Sequence, residues 1–407
     1  MGEPYFFYPF MKHWETYLQK QNREWFTQLL PDDFLADRIV IIPCYNEPEI
    51  EDTLESVGKC NFPASPTIVL VVINSGVQSS TESIDQNHKT YQQMLIYASE
   101  HSSEQLLFVP VIYENLPRKH AGVGLARKIG MDLAIDYFFR TRNPNGVLIS
   151  LDADCTVSSN FMVRISESFS HDKALCCTIH NFHHRVENND LIIENAIRQY
   201  ESYLRYFENA LRYTGFPYYY HTIGSAFAIT ADAYVRVGGM GRQQGGEDFY
   251  FLQKIFQIGK TELLDDVFVF PMARFSNRVP FGTGPALQKI IAENDGLMQV
   301  YSFDAFVSLR QFFDLKDSFF GMSQEDILQQ IKTLSPALQQ FIAENDILSD
   351  IQDCNANSST LKSFQKRFFH HFNAFKIIKY LNFAHQNAFQ LESLKINIDK
   401  YSKIIGF

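Results

Sequence analysis

The sequence predicts an α/β protein in which helices cover both faces of a largely parallel sheet, followed by a helical C-terminal region. In the first half of the 407-residue chain, short apolar runs rich in β-branched residues alternate with segments of helical periodicity. Such alternation is typical of strands buried between two layers of helices. Polar residues follow several of these runs directly, and ligands of such sheets bind beyond the carboxyl ends of the strands.

Four apolar strands linked by three helices are predicted before residue 155. These strands are Arg38–Pro43, Thr67–Asn74, Leu106–Tyr113 and Gly146–Leu151, separated by helices at about 47–59, 81–101 and 122–140. Later strands are expected at Leu175–Ile179 and Ala226–Thr230, with helices near 160–170 and 190–211. Because the order of elements changes after residue 155, we expect a mixed sheet.

The pattern predicts three regions, and the chain is long enough for more than one core. Residues 1–35 are expected to form a helical arm, because apolar and aromatic residues recur at roughly helical spacing there. Residues 36–284 form the predicted α/β domain. Residues 285–407 are polar, glutamine-rich and helical in pattern, and form a predicted second domain.

Composition excludes several classes of function. A formal net charge of −10 argues against broad binding to nucleic acid phosphates. The six cysteines show no C-x-x-C spacing, so neither a zinc site nor a disulfide framework is expected. Such scattered cysteines indicate a reducing compartment. No signal-peptide pattern is present, and nowhere do 18 apolar residues run together. A cytoplasmic protein is therefore expected.

The stretch ISLDADCTV at 149–157 places two acids at the end of a buried strand. Asp152 and Asp154 are two residues apart, so both side chains can point to the same side. Their hard oxygens suit Mg²⁺ or Mn²⁺, which take further ligands from water and substrate phosphates. The alternative is an aspartate-rich turn that caps the following helix.

Three other stretches accompany these acids. They are IPCYNE at 42–47, KHAGVGLARKIGMDLAIDYF at 119–138 and VGGMGRQQGGEDFYF at 237–251. With LDAD, in this order and at these intervals, they resemble the motifs of family 2 glycosyltransferases of the GT-A fold, over about residues 36–280. This Rossmann-like, nucleotide-diphospho-sugar transferase fold implies a mixed sheet with helices on both faces. It also implies an enzyme that transfers sugar from a nucleotide-sugar donor.

The resemblance implies which residues bind the donor. They are Pro43, Tyr45, Asn46, Glu47, Asn74, Arg127, Asp152 and Arg278. Glu47 would hold the base or ribose, and Asp152 with Asp154 would bind the Mn²⁺ or Mg²⁺ that bridges the diphosphate. Arg274 is an alternative to Arg278 for contact with the diphosphate. Alternatively, Glu47 is an acid that only stabilises a helix N-terminus, and Arg127 is a cation on a helix surface.

The resemblance also implies the catalytic residues. Asp248 would be the general base that deprotonates the acceptor hydroxyl, and Glu247 would contact the acceptor or the donor sugar. Gly224 and Ser225 would let the backbone approach the sugar. The implied activity is metal-dependent, inverting transfer to a saccharide or lipid-linked hydroxyl, in polysaccharide or glycolipid synthesis. Transfer with retention of the anomeric configuration stays open. Alternatively, Glu247 and Asp248 only form the acidic first turn of a helix.

Two departures from the family pattern leave details open. Asn74 stands where many relatives carry an acid, so the nucleotide base is undetermined. Several GT-A enzymes place a metal-binding histidine after the base motif, whereas here no histidine occurs between His221 and His370. The third protein ligand of a metal ion is therefore undetermined as well.

Two other functions fit parts of the sequence. LDADCTV also matches D-x-D-x-T, with which haloacid-dehalogenase-like phosphatases begin, and there Asp152 would be a nucleophile and Asp154 an acid or base. That signature normally ends the first strand of its domain, whereas three predicted strands precede it here. The other alternative is a sugar-nucleotide-binding protein without catalysis, against which the intact Asp152, Asp154 and Asp248 argue.

One C-terminal segment allows two interpretations. Within residues 362–380, Phe364, Phe368, Phe372 and Phe375 are placed on one helical face, beside several basic residues. This profile suits packing on the catalytic domain. It also suits peripheral contact with an anionic surface at the inner face of the membrane, in which case the acceptor would be lipid-linked.

Overall fold

The chain divides into two compact units. The computed structural model describes residues 9–243, 245–275, 282–293 and 298–406. The first unit contains Met1–Asp190 and Thr222–Pro285, and the second contains Leu191–His221 and Ala286–Phe407. Residues 191–221 lie inside the α/β domain predicted from sequence but group with the second unit. The boundaries predicted after residues 35 and 284 stay a prediction.

In the part of the chain that the structure describes, the first unit contains one mixed sheet of eight strands. Its strands are β1 Arg38–Cys44, β2 Thr67–Gly76, β3 Leu106–Leu116, β4 Val147–Ser150, β5 Cys155–Val157, β6 Leu175–Phe182, β7 Phe227–Thr230 and β8 Lys260–Pro271. Across the sheet the order is β3-β2-β1-β4-β7-β6-β8-β5. The first four in that order run parallel, β7 is antiparallel to both neighbours, and β5 is antiparallel to β8.

Helices connect the strands. Up to residue 258 they are α1 Pro9–Leu18, α2 Ile50–Gly58, α3 Thr81–His101, α4 Val123–Arg140, α5 Phe161–His171, α6 Leu191–Tyr213, α7 Ala231–Arg236 and α8 Glu247–Ile258. Short 3-10 helices span Arg23–Thr27 and Glu187–Asn189. Of the α-helices in this list, α6 belongs to the second unit and the others to the first.

Different helices cover the two faces of the sheet, because side chains alternate along each strand. Val40 and Ile42 of β1 lie in one buried cluster with apolar residues of α2, α3 and α5. Ile41 faces α4, where a Cβ on Gly130 would come within 2.5 Å of Ile41 Cγ2. Glycine at position 130 therefore permits close packing of α4 on the sheet. The predicted fold class, a mixed sheet with helices on both faces and a helical C-terminal region, is confirmed.

All six strands predicted from the sequence are present, as β1 to β4, β6 and β7. The sequence pattern does not predict β5 and β8. β5 has only three residues, and β8 is interrupted by Asp265 and Asp266. Its pairing with β6 shifts register between His180 and Asn181, opposite these acids. An irregular strand of this kind does not show the continuous apolar run on which the prediction depends.

The second unit is mainly helical in its described residues. The helices after residue 282 are α9 Thr283–Glu293, α10 Phe303–Leu315, α11 Gln324–Ile331, α12 Pro336–Glu344, α13 Ile347–Ala356, α14 Leu361–His371, α15 Ala374–Asn387 and α16 Leu394–Ile405, with a 3-10 helix at Lys316–Phe319. A short antiparallel pair joins β9 Gln299–Val300 to β10 Glu392–Ser393.

The phenylalanines of α14 are packed inside the second unit. Phe364, Phe368 and Phe372 are each at most 2% exposed. Ring neighbours of this group in the same unit include Phe312, Phe313 and Phe341. These three rings therefore belong to the core of the second unit. Among the described helices, none combines the length and apolar character needed to cross a bilayer.

Candidate active site

Polar residues collect at the carboxyl ends of β1 and β4, which are parallel neighbours in the sheet. Residues 45–47 follow β1, and residues 152–154 follow β4. The amide of Leu151 donates to the carbonyl of Ile41 at 3.1 Å, so the two segments leave the sheet side by side. Parallel α/β sheets bind their ligands at this edge.

The loop after β1 is fixed to the end of β2 by a residue of α3. Asn46 has φ = 50°, a left-handed conformation that asparagine tolerates better than most residues. Its amide donates to Asn87 Oδ1 at 2.8 Å, and Asn87 Nδ2 donates to the carbonyl of Asn74 at 2.9 Å. Asn74 is 2% exposed, and its Oδ1 has no hydrogen-bond partner among the described residues. The predicted donor-binding residues at these two strand ends are Pro43, Tyr45, Asn46, Glu47 and Asn74.

Arg127 of α4 joins the acids after β4 to the acids of α8. Its Nη2 donates to Asp152 Oδ1 at 2.6 Å, and its Nη1 donates to Glu247 Oε1 at 2.7 Å. Arg127 and Glu247 are buried, whereas the side chain of Asp152 is 36% exposed. Burial lowers the pKa of Arg127, but the surrounding carboxylates together raise it above its ordinary value. The guanidinium therefore stays charged and holds the two carboxylates together.

Asp248 is a carboxylate with a raised pKa beside Arg127. Burial and the charge of Glu247 raise the pKa of Asp248 to about 6, and Arg127 partly offsets this rise. Its Oδ1 accepts a hydrogen bond from the amide of Phe249 at 2.7 Å. A Cβ on Gly224 would lie 3.0 Å from both Asp248 Oδ2 and Arg127 Nη2, so glycine lets the backbone lie against both groups. A carboxylate with this pKa can accept a proton near neutral pH.

A second arginine, Arg274, joins the loop after β1 to the acids after β4. Its Nη1 donates to Glu47 Oε1 at 3.1 Å, and its Nη2 donates to Glu47 Oε2 and, at 3.0 Å, to Asp154 Oδ2. Glu47 is buried, and the Arg274 side chain is 31% exposed. Hydrogen bonds to Glu47 and the charge of Asp154 hold the pKa of Arg274 above its ordinary value, although burial lowers it.

Sequence reasoning named Arg274 only as an alternative to Arg278. Arg278 lies outside the described residues. Arg274 follows β8, and because the sequence pattern does not predict that strand, nothing in it places Arg274 at the edge of the sheet. A prediction of β8 from its apolar end, VFVFP at 267–271, is the signal that could have found this residue.

Asp152 and Asp154 retain oxygens that suit a divalent cation. The arginines bind Asp152 Oδ1 and Asp154 Oδ2, while Asp154 Oδ1 has a 3.6 Å contact with the Cys155 thiol. Burial, and then the charge of Asp152, raise the pKa of Asp154, so a nearby cation would stabilise its ionised form. Burial raises the pKa of Cys155 well above its ordinary value, which keeps the thiol protonated and unsuited to metal binding.

Carboxylate oxygens of this kind fit Mg²⁺ or Mn²⁺, which keep several waters and bind substrate phosphates. In the described ranges, no group of three or more His, Cys, Asp or Glu side chains is arranged around a common metal position. Water and the phosphates of a substrate would therefore have to complete the coordination of an ion at Asp152 and Asp154.

Comparison with known proteins gives one informative match. Residues 39–234 match the model described as "Glycosyl transferase family 2", a segment that contains Arg127, Asp152 and Asp154 and ends before Asp248. Comparison with curated protein sequences gave no match.

Two solved structures are distantly similar to this chain. S. aureus TarS in complex with UDP-GlcNAc is 12% identical, with 82% of this chain and 90% of that chain covered and a TM-score of 0.40. GalNAc-T7 with UDP, GalNAc and Mn²⁺ is 16% identical, with 89% and 59% covered and a TM-score of 0.38. At these TM-scores the likeness adds nothing to the fold, which is established by the sheet itself.

Proposed function

We propose that the first unit, in which residues 39–234 match the model of glycosyl transferase family 2, transfers a sugar from a nucleotide-sugar donor to a hydroxyl acceptor. The transfer depends on a divalent cation and inverts the configuration at the anomeric carbon. The observation that carries this proposal is that two arginines pair with three carboxylates at the strand ends and with one at the start of α8. The two groups are Arg127 with Asp152 and Glu247, and Arg274 with Asp154 and Glu47. Residues expected to bind the donor and the proposed base thus belong to one site.

In this proposal the nucleotide lies along the loop after β1 and the end of β2, near Glu47 and Asn74. The diphosphate lies near Asp152 and Asp154. Mn²⁺ or Mg²⁺ held by these two carboxylates would neutralise the charge that develops on the leaving diphosphate. Arg127 orients Asp152 through its hydrogen bond of 2.6 Å.

We assign the proton transfer to Asp248. Its carboxylate takes the proton from the acceptor hydroxyl while that oxygen bonds to the anomeric carbon. The bond from this carbon to the diphosphate oxygen breaks at the same time. With a pKa of about 6, the carboxylate is largely ionised at neutral pH and can act as a base. Glu247, held by Arg127, would contact the acceptor or the donor sugar.

The proposed acceptor is a saccharide or a lipid-linked hydroxyl, and the proposed setting is polysaccharide or glycolipid synthesis. The phosphatase hypothesis is not supported, because the aspartate pair follows the fourth strand and falls inside the matched family segment. A donor-binding protein without catalysis is distinguished from an enzyme by the experiment below.

Thermal unfolding tests donor binding directly. The purified protein is melted with UDP-, GDP- and dTDP-sugars, each with and without Mn²⁺. A ligand that binds the folded state raises Tm, so we expect one donor series to raise it in the presence of Mn²⁺ only. The proposal fails if none of the donors changes Tm under either condition.

Turnover tests catalysis and the base. Release of nucleoside diphosphate from the donor, to water or to an added acceptor, should fall by about 100-fold or more in Asp248→Asn, while the donor-dependent rise in Tm remains. The matched control is Asp266→Asn, because Asp266 is an exposed acid of β8 paired with Arg164 at 2.7 Å. Donor binding by the wild type without any release would indicate a binding protein, and near-normal turnover in Asp248→Asn would exclude Asp248 as the base.

A further inference from the structure

Arg274 lies between the loop proposed to bind the nucleotide and the acid proposed to bind the metal. Its guanidinium is hydrogen bonded to Glu47 on one side and to Asp154 on the other. We propose, on the basis of the proposed function, that Arg274 binds the donor diphosphate and that it pairs with the carboxylates of Glu47 and Asp154 when the donor is absent. In this inference the guanidinium exchanges the carboxylates of Glu47 and Asp154 for phosphate oxygens when donor and divalent cation bind together.

The backbone around Arg274 is fixed, whereas its side chain can be reached from solvent. The amide of Ala273 donates to the carbonyl of Arg185 at 2.8 Å, and the amide of Met272 donates to the carbonyl of Asp154 at 3.2 Å. Arg185 Nη2 also donates to the Asp154 carbonyl, at 3.3 Å. The Arg274 side chain is nevertheless 31% exposed. A phosphate can therefore approach the guanidinium without displacement of the strand end.

The chemistry of the group favours phosphate as the new partner. A guanidinium presents two parallel N–H groups that match the oxygens of a phosphate as well as those of a carboxylate. The two Nη atoms of Arg274 already bind the two oxygens of Glu47 in this manner. Exchange of one bidentate partner for another keeps the arginine in charge-assisted hydrogen bonds, while Glu47 is proposed to hold the base or ribose of the same donor.

The sign of the charge determines how Arg274 acts on the metal. A divalent cation at Asp154 is repelled by the guanidinium that pairs with the same carboxylate at 3.0 Å. A diphosphate reverses this effect, because it attracts both the guanidinium and the metal ion. Arg274 should therefore weaken the binding of metal alone and strengthen the binding of nucleoside diphosphate with metal, which is a positive coupling between the two ligands.

Three variants separate this role from a purely structural one. They are Arg274→Gln, which removes the charge, Arg274→Lys, which keeps the charge without the planar fork, and the control Arg164→Gln. Arg164 carries the same charge but pairs with Asp266 and Glu167 away from the strand ends, with 36% of its side chain exposed. Mn²⁺ affinity is measured by electron paramagnetic resonance without nucleotide. The affinities of UDP, GDP and dTDP are measured by calorimetry with saturating Mn²⁺.

We expect opposite changes in the two affinities for Arg274→Gln. Mn²⁺ alone should bind at least about threefold more tightly, since the competing charge is gone. The nucleoside diphosphate that the wild type binds should bind about 10- to 100-fold more weakly, which is the effect of losing charge-assisted hydrogen bonds. Arg274→Lys should leave Mn²⁺ affinity unchanged and weaken the nucleotide. Arg164→Gln should change neither.

Three results would overturn the inference. If Arg274→Gln weakens Mn²⁺ and nucleotide together and lowers Tm, the arginine only holds the buried Glu47 in place. If Arg274→Gln binds the nucleotide as tightly as the wild type, the arginine does not contact the diphosphate. If Arg274→Gln does not fold, Arg274→Lys decides, and unchanged nucleotide affinity in that variant rejects the inference. Failure of the wild type to bind any of the nucleotides would instead reject the proposed function, and the inference with it.

Discussion

Opposing effects determine the pKa of the Asp248 carboxyl group. Burial and the neighbouring Glu247 favour its protonated form, while Arg127 favours the ionised form, and the resulting pKa is about 6. Because this pKa is above that of an aspartate in the unfolded chain, the folded protein binds more protons in the intervening range. Asp248 therefore contributes stability at low pH that is lost as pH rises through about 6. The raised pKa on which the proposed role of Asp248 as base depends therefore lowers the stability of the folded protein above about pH 6.

The pH dependence of turnover follows from the same pKa. Since the base must be ionised, kcat/KM should fall about tenfold for each pH unit below about 6 and level off above it. Initial rates of nucleoside diphosphate release, recorded from about pH 5 to about pH 8, measure this profile. Asp266→Asn should reproduce the wild-type profile. A rate that stays constant between about pH 5 and pH 7 would contradict the assignment of Asp248.

Gly224→Ala tests the close approach of the backbone to Asp248 and Arg127. The new Cβ would lie 3.0 Å from a terminal atom of each side chain, which is closer than normal packing allows. Both groups should be displaced by a few tenths of an ångström, and kcat should fall by about 10- to 100-fold. The control is Gly58→Ala at the end of α2, because a Cβ there would meet no described atom within 4 Å. Equal activity of the two variants would show that this contact does not position the base.

At the scale of the element, α4 connects the active site to the N-terminal region. Arg127 is directed to the acids, while Lys128 and Asp132 on the same helix form a buried polar cluster. Asp132 Oδ1 accepts hydrogen bonds from Tyr17 of α1 at 2.6 Å and from Tyr234 of α7 at 2.8 Å, and its Oδ2 accepts one from Lys128 at 2.9 Å. One buried carboxylate therefore holds α1, α4 and α7 together.

Tyr17→Phe removes one hydrogen bond from this buried carboxylate. Hydrogen bonds to charged groups contribute about 1.5–3 kcal/mol, so the free energy of unfolding should fall by about that amount. Urea unfolding followed by circular dichroism measures the change. Tyr91→Phe is the control, because Tyr91 is partly buried against the core and its hydroxyl makes no hydrogen bond in the described part of the chain. A loss below about 0.5 kcal/mol for Tyr17→Phe would contradict the account of this cluster.

Local pattern predicts some elements well and others not at all. The buried parallel strands β1 and β2 begin at the predicted residues, because all of their positions are buried and, apart from Arg38 and Asn74, are apolar or small. β8 escapes prediction because Asp265 and Asp266 interrupt it at a change of register. The local pattern therefore does not place Arg274, which follows β8, and only the family resemblance suggested it, as an alternative to Arg278.

At the scale of the whole molecule, local sequence pattern does not predict contacts between residues that are distant in sequence. Arg127 pairs with Glu247, 120 positions further along the chain, and only the resemblance to family 2 glycosyltransferases indicated that these segments belong to one site. Helix α6 was expected in the α/β domain because it lies between two of its strands. It groups with the second unit because it packs against α10 and α16. Helical periodicity shows that a helix has an apolar face, but not which helices that face contacts.

The account depends on a divalent cation bound by Asp152 and Asp154 together with a nucleotide diphosphate. The most direct test is anomalous diffraction at the manganese edge from crystals grown with Mn²⁺ and the donor that raises Tm. We expect a manganese peak within about 2.3 Å of an oxygen of each aspartate and of the diphosphate. A nucleotide bound in the site without manganese at these carboxylates, with both aspartates still paired only with their arginines, would contradict it.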